Sequence, residues 1–239
     1  MNAKDFVLTA AGLNAFYGQA HILFDVSLQV GRGEVVVLLG RNGAGKSTTL
    51  KSLIGLVPPS GGEVSFRGER IDGLEPFRIA QRGLGYVPED RRIFTDLTVM
   101  ENLEVGRQGA REGAPSWTPE RVFMLFPNLA EMQDRPAGRM SGGEQQMLTI
   151  ARTLMGNPWC ILLDEPSEGL APVVVDQMAA AIGSLKAEGL SVLLSEQNLR
   201  FAAEVSDRAY IIEKGRIRFS GTMTELSAHD DVRAQYLAV

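Results

Sequence analysis

An apolar run from Glu34 to Leu39 ends at Gly40-Arg41-Asn42-Gly43-Ala44-Gly45-Lys46-Ser47, and helical patterning begins at about Gly45. This junction restricts the possible folds more than any other stretch of the chain. A continuous apolar run of strand length reads as a strand buried on both faces, the kind found in parallel sheets covered by helices. The glycines behind it let successive amides turn inward as an anion nest. The opening turn of the helix adds a partial positive charge. Lys46 brings a full charge to the β- and γ-phosphates of a nucleotide, and the Ser47 hydroxyl suits Mg²⁺. The alternative is a glycine-rich strand-to-helix turn with an exposed lysine; the full pattern in its strand–loop–helix context speaks against it.

The rest of the chain repeats strand and helix around that junction. Phe6 to Leu13 and His21 to Val30 have strand patterning, with a turn at Tyr17-Gly18. The helix opened at Gly45 is expected to run to about Leu56, before Pro58-Pro59 and Gly61-Gly62. Glu63 to Ile71 reads as a hairpin around Gly68, Pro76 to Arg82 as a short helix, and Leu84 to Val87 as a buried strand. From Pro88 to about Asn157 the pattern is helical, with a capping box at Thr98–Glu101, a loop from Arg107 to Trp117 and a new helix at Thr118-Pro119-Glu120. Strands are then expected at Cys160 to Leu163, Leu190 to Ser195 and Ala209 to Ile212. Helices alternate with them at Pro172 to Glu188 and Asn198 to Ser206. A hairpin turn at Glu213-Lys214-Gly215-Arg216 and small helices at Thr222 to Leu226 and Asp230 to Leu237 close the chain. The fold class is α/β, a strand–helix alternation with a helical insert, and 239 residues suffice for one large domain.

Composition limits the function. A net charge of -5 argues against a nucleic-acid partner, leaving Arg91-Arg92 as the one local basic candidate. No stretch approaches the roughly 20 apolar residues that span a bilayer, and Met1 to Asp5 lack the apolar core of a secretory signal. A cytosolic chain is expected, and any membrane role needs a separate membrane partner. Cys160 is a lone thiol and reads as a small buried hydrophobe. His21 and His229 stand far apart and offer no metal cluster.

Two further segments carry chemistry. Asp164 ends the apolar run Ile161-Leu162-Leu163, where open α/β sheets place their ligands. Asp164 and Glu165 before Pro166 also read as a helix-capping acidic pair. Upstream, Ser141-Gly142-Gly143 opens a helix whose first turn can offer a hydroxyl and free amides to an anion. Glu144 stands three residues after Ser141, as a plain capping box would have it.

In this order, Gly40 to Ser47, Ser141-Gly142-Gly143 and Asp164-Glu165 resemble the ATP-binding cassette family, the ATPases of ABC transporters. The resemblance extends over nearly the whole chain. It implies a P-loop NTPase fold: a RecA-like core (1–87 and 158–239), an N-terminal antiparallel β subdomain and a helical signature subdomain (about 88–157), in one domain spanning 1–239. It assigns Gly40, Asn42, Gly43, Ala44, Gly45, Lys46, Ser47 and Thr48 to ATP. Ser47 and Asp164 would hold Mg²⁺, with Asp164 acting through the ion's water shell. Glu165 would polarise the attacking water, a role typically contributing about 10²–10⁴-fold in rate. Tyr17 matches the aromatic that stacks on adenine, with a core tyrosine as the alternative. Ser141, Gly142 and Gly143 would close over the ATP of another subunit, and Ser167-Glu168-Gly169-Leu170 would form a dimer-contact loop.

The chain departs from the usual family pattern at two positions. Glu89 follows Tyr86-Val87-Pro88 where the family has Gln; counted with Ser47 and Asp164 among the Mg²⁺ residues and with those that bind ATP, an ionised Glu89 could accept but not donate hydrogen bonds. Gln197 follows Ser195-Glu196 where the family has His, keeping a neutral donor for the γ-phosphate without a titration near neutrality. The segments Pro88 to Phe94, Ser141 to Leu148 and Ser195 to Asn198 resemble the ATPases of branched-chain amino-acid uptake transporters. Those of urea and short-amide importers are similar, and a soluble non-transport ABC ATPase or a P-loop kinase are further alternatives. The resemblance implies a homodimer or a heterodimer with a related ATPase, two membrane permeases and, indirectly, a periplasmic solute-binding protein, at the inner face of the bacterial plasma membrane. A permease helix would dock along Glu89 to Glu101, with Phe94, Leu97 and Met100 as apolar contacts and Arg91 and Arg92 at the rim; ordinary packing of these residues is the alternative.

Overall fold

The structure, a computed structural model, describes residues 6–237, so the reading of Met1 to Asp5 lies outside it. Two sheets organise these residues. The first pairs β1 (Phe6–Tyr17), β2 (Ala20–Gly31), β4 (Gly61–Phe66) and β5 (Glu69–Arg70) antiparallel in the order β2-β1-β4-β5. The second contains β3 (Val35–Leu39), β6 (Leu84–Val87), β7 (Cys160–Asp164), β8 (Ser191–Glu196), β9 (Arg208–Glu213) and β10 (Arg216–Thr222) in the order β10-β9-β3-β8-β7-β6. Strands β9 to β6 in that order are parallel, and β10 adds antiparallel at the edge.

All five residues of β3 are buried, as a strand covered on both faces requires. Val35, Val37 and Leu39 face a core shared with α3 (Val99–Gly106), α6 (Gly142–Leu154), α7 (Pro172–Ala187) and α8 (Leu199–Val205). Val36 and Leu38 face a second core made by α1 (Lys46–Leu53) and the antiparallel sheet. Helix α2 (Pro76–Gln81) also joins this second core through Ile79. Cys160 is buried within it, and burial pushes its thiol well above the usual range. Between β6 and β7 the chain is helical, with α4 (Pro119–Leu125) and α5 (Pro127–Ala130) between α3 and α6. The capping box at Thr98 is present: the Glu101 amide donates to Thr98 Oγ1 at 3.2 Å, and the Thr98 amide donates to Glu101 at 2.7 Å. The two terminal helices are α9 (Met223–Ala228) and α10 (Asp230–Leu237).

Two boundaries differ from expectation. Helix α1 stops at Leu53, not Leu56, because Gly55 adopts a left-handed φ of 79°. The Leu56 amide then reaches back to the Lys51 carbonyl at 2.9 Å, which closes the helix before the prolines act. Strand β1 continues past Leu13 to Tyr17 through register shifts around Asn14, so Tyr17 ends a strand and Gly18-Gln19 make the turn.

One glycine locks the antiparallel sheet to the phosphate loop. In the β9–β10 turn, the Gly215 amide donates to Ala44 and its carbonyl accepts from Phe24, both at 2.8 Å. Its φ is 72°, and a Cβ there would lie 1.8 Å from the Ile22 carbonyl oxygen. Gly215→Ala is therefore expected to destabilise the fold by about 2–3 kcal/mol. Calorimetry should show a Tm drop of roughly 5–10 °C.

Candidate nucleotide site

The loop between β3 and α1 is built to hold an anion. Among the described residues, no hydrogen bond engages the amides of Gly43, Gly45, Lys46 or Ser47, so four adjacent donors are free at a helix N-terminus. Gly45 permits this with φ 113°, and a Cβ on it would meet Leu23 at 3.0 Å. Buried Gly40 starts the loop; a Cβ there would lie 2.6 Å from the Ile212 carbonyl. Ala44 is buried while Asn42 is exposed. A cavity of about 230 Å³ opens over the loop, lined by Gly43, Gly45, Lys46, Ser47 and Thr48, by Tyr17 and Ile22, and by Glu165. Half-exposed Tyr17 thus sits at the mouth of the phosphate loop and not in the core.

Two buried charges face each other on the floor. Lys46 Nζ lies 3.1 Å from Glu165 Oε1 and also donates to the carbonyls of Gly40 (2.8 Å) and Arg41 (3.1 Å). Burial, with Glu168 alongside, holds the Glu165 carboxyl above the usual range, and Lys46 acts in the opposite sense. The second oxygen of Glu165 is buried without a partner, and the residue has φ 49°. An anion entering the loop meets these free amides and competes with Glu165 for the Lys46 ammonium.

Asp164 is fully buried at the mouth of β7. Its Oδ1 accepts from Ser47 at 2.9 Å and from Ser195 at 2.7 Å, and its Oδ2 from Tyr86 at 3.1 Å. Burial first, then the Asp164 carboxylate, push the Tyr86 phenol well above its usual range. Next to Ser195, Glu196 is buried and accepts from the amides of Ser167 (3.0 Å), Gln197 (3.2 Å) and Asn198 (3.3 Å). Desolvation nonetheless holds its carboxyl above the usual range. Ser195 and Glu196 appeared in the sequence only as part of a motif, and Tyr86 only as a neighbour of Glu89. Their signal was a polar residue inside an apolar strand, Ser195 among Leu193 and Leu194.

The donor set fits Mg²⁺ with a nucleotide. Asp164 and Ser47 are one carboxylate and one hydroxyl at hydrogen-bond distance, and Mg²⁺ completes an octahedron with water and phosphate oxygens. Among the described residues no group of three or more His, Cys, Asp or Glu could hold a metal, so the polyphosphate would have to share the ion.

Several site candidates lie elsewhere. Glu89 is exposed and, among the described residues, forms no hydrogen bond or ion pair. Gln197 is exposed and engaged only through its backbone amide. Ser141 is exposed at the start of α6, where it forms a capping box with Glu144 (2.7 and 3.4 Å); Gly142 and Gly143 follow in the first turn. None of these three lines the cavity over the phosphate loop.

Comparison with known proteins agrees with this geometry. The family model described as ABC transporter matches residues 23–168. The chain is 44% identical over 225 residues to the high-affinity branched-chain amino acid transport ATP-binding protein BraG of Pseudomonas aeruginosa, covering 94% of this chain and 97% of that protein. It is 38% identical over 233 residues to the lipopolysaccharide export system ATP-binding protein LptB of Haemophilus influenzae, covering 97% of each. The crystal structure of a nucleotide-free ATP-binding cassette from an ABC transporter superposes with a TM-score of 0.83 at 26% identity, over 98% of this chain and 99% of that one.

Removing Lys46 leaves a buried carboxylate without its counter-charge, which typically costs about 3–5 kcal/mol. The Glu165 carboxyl is raised in the folded state, so it can take up a proton at low pH, and its unfavourable ionisation is felt as pH rises through the folded value. The stability deficit of Lys46→Ala, from urea unfolding, is expected to be larger at pH 8 than at pH 5.

Proposed function

The chain belongs to the ABC transporter family and is one of its ATPases; from this premise we propose that it hydrolyses MgATP to power import of branched-chain or other hydrophobic amino acids. The observation carrying the solute class is the 44% identity with the Pseudomonas transport protein over 94% of this chain. The chain is taken as one ATPase domain in which 88–157 forms the helical part.

ATP would lie with its base against Tyr17 and its phosphates on the free amides of the loop, drawing Lys46 from Glu165. Ser47 and Asp164 would hold Mg²⁺, which would supply neutralisation of the polyphosphate's negative charge. Glu165, released from Lys46 and poised by burial to accept a proton, would act as the general base toward water. Ser141, Gly142 and Gly143 do not line this cavity, and Ser141 is exposed, which supports their serving the ATP of a second ATPase subunit. Gln197 would offer its amide to the γ-phosphate at that closed interface, with Glu89 at the edge of the metal shell.

No helix of the described residues is long and apolar enough to cross a membrane, so transport requires permease partners. A cleft of about 580 Å³ between α2 and the helical part would seat such a partner. Leu56, Phe77, Phe94 and Val105 are exposed large apolar residues on its wall. Phe94 thus favours the docking reading over plain packing, while Leu97 and Met100 are partly buried beside it. The partners would be two permeases fed by a periplasmic binding protein, placing the chain on the inner face of the plasma membrane. The identity with the lipopolysaccharide export protein supports a second reading, in which the ATPase drives export.

Two measurements test these proposals. Glu165→Gln is expected to lower ATP turnover about 10²–10⁴-fold and to elute with ATP as a dimer in gel filtration; wild-type turnover would remove Glu165 from its role. Deleting the gene should abolish uptake of radiolabelled leucine, isoleucine or valine. Lost uptake of urea or short amides, or lipopolysaccharide retained in the inner membrane, would reassign the cargo.

A further inference from the structure

Tyr86 belongs at once to the wall of the cleft and to the carboxylate cluster. It lies on β6, the edge strand of the parallel sheet, paired with Leu162 of β7. Asp164 is two residues beyond Leu162 and so shares its face of the sheet. The Tyr86 hydroxyl reaches along that face to donate to Asp164 Oδ2 at 3.1 Å. Part of the same residue lines the cleft, along with Phe94 and Arg152. Beyond Pro88 the chain is fastened to the signature helix: Thr149 donates to the Arg91 carbonyl at 3.0 Å, and Arg152 to that of Arg92 at 2.7 Å. Arg91 and Arg92 both have left-handed φ, 63° and 51°. A displacement of α6 therefore reaches Tyr86 through the four residues Val87 to Asp90, and a group in the cleft meets Tyr86 directly.

We propose that Tyr86 is a positioning residue that fixes the rotamer of Asp164 and conveys occupancy of the cleft to the metal-binding carboxylate. The proposal deepens the reading of Asp164 as the Mg²⁺ carboxylate and of the cleft as a docking seat, and it rests on both. With Ser47 and Ser195 on Oδ1, Tyr86 is the donor that holds Oδ2 and so sets the plane of the carboxylate. Glu89, at the position where the family resemblance places a Gln, is exposed and forms no hydrogen bond to Asp164, leaving Tyr86 as the donor from this segment.

The test uses the full chain with Tyr86→Phe, which keeps the ring and removes the donor. Loss of one such bond is expected to raise the Mg²⁺ concentration for half-maximal ATP turnover about three- to tenfold, while affinity for ATP measured in EDTA stays within about twofold of wild type. In the transporter assembled with its membrane partners, stimulation of turnover by transported solute should fall by more than basal turnover does. An unchanged Mg²⁺ requirement overturns the proposal. A raised requirement with undiminished stimulation overturns the link to the cleft. Asp164→Asn provides the control: wild-type Mg²⁺ dependence in that variant overturns the underlying metal reading, and the proposal with it.

Discussion

A carboxylate with no solvent exposure is stable only where donors surround it, and Asp164 meets that requirement with three hydroxyls from three elements. Ser47 belongs to the helix behind the phosphate loop, Tyr86 to the edge strand and Ser195 to the strand between β3 and β7. The need to satisfy one buried charge therefore fixes how the loop, the sheet and the entry to the helical segment sit relative to one another. Ser195 extends the constraint, since its Oγ also accepts from the Glu165 amide at 3.1 Å while donating to Asp164. The positions of the phosphate loop and of the proposed general base thus follow from the same carboxylate.

The second constraint is competition for Lys46. A buried ammonium–carboxylate pair gains little net stability, because both ions lose their hydration. The pair can therefore be exchanged for a phosphate, which brings more charge and engages the free amides as well. On the proposed mechanism this exchange couples binding to chemistry, since the event that seats the phosphates also releases Glu165. Glu196 adds rigidity behind it: the Ser167 amide ties the loop after β7 to the end of β8, and the amides of Gln197 and Asn198 hold the carboxylate in place.

Much of the fold was legible because its signals are local. Val35–Leu39 is apolar throughout and the glycine pattern follows it, so strand, loop and helix needed no tertiary information. The acidic end of β7 and the capped start of α6 were visible for the same reason. Features set by tertiary contact were not. The stop of α1 at Gly55 outran the more conspicuous Pro58-Pro59, and β1 passed its expected end because bulges let it keep pairing through Asn14. Tyr86, Ser195 and Glu196 are ordinary residues in sequence and acquire meaning only when β6, β7 and β8 lie side by side. Glu89 and Gln197 drew attention as departures from a pattern, yet both are exposed and neither lines the cavity over the phosphate loop.

On the proposed mechanism one subunit holds the nucleotide and a second completes its site through Ser141. Adding Ser141→Arg to a Glu165→Gln background isolates that contribution, because Ser141 lies outside the cavity over its own phosphate loop. Gel filtration with ATP, alongside nucleotide affinity of the monomer by calorimetry, gives the direct measurement. The expected result is a monomer that binds ATP as tightly as monomeric Glu165→Gln but no longer pairs. A persisting ATP-bound dimer, or a monomer that has lost its affinity for ATP, would contradict it.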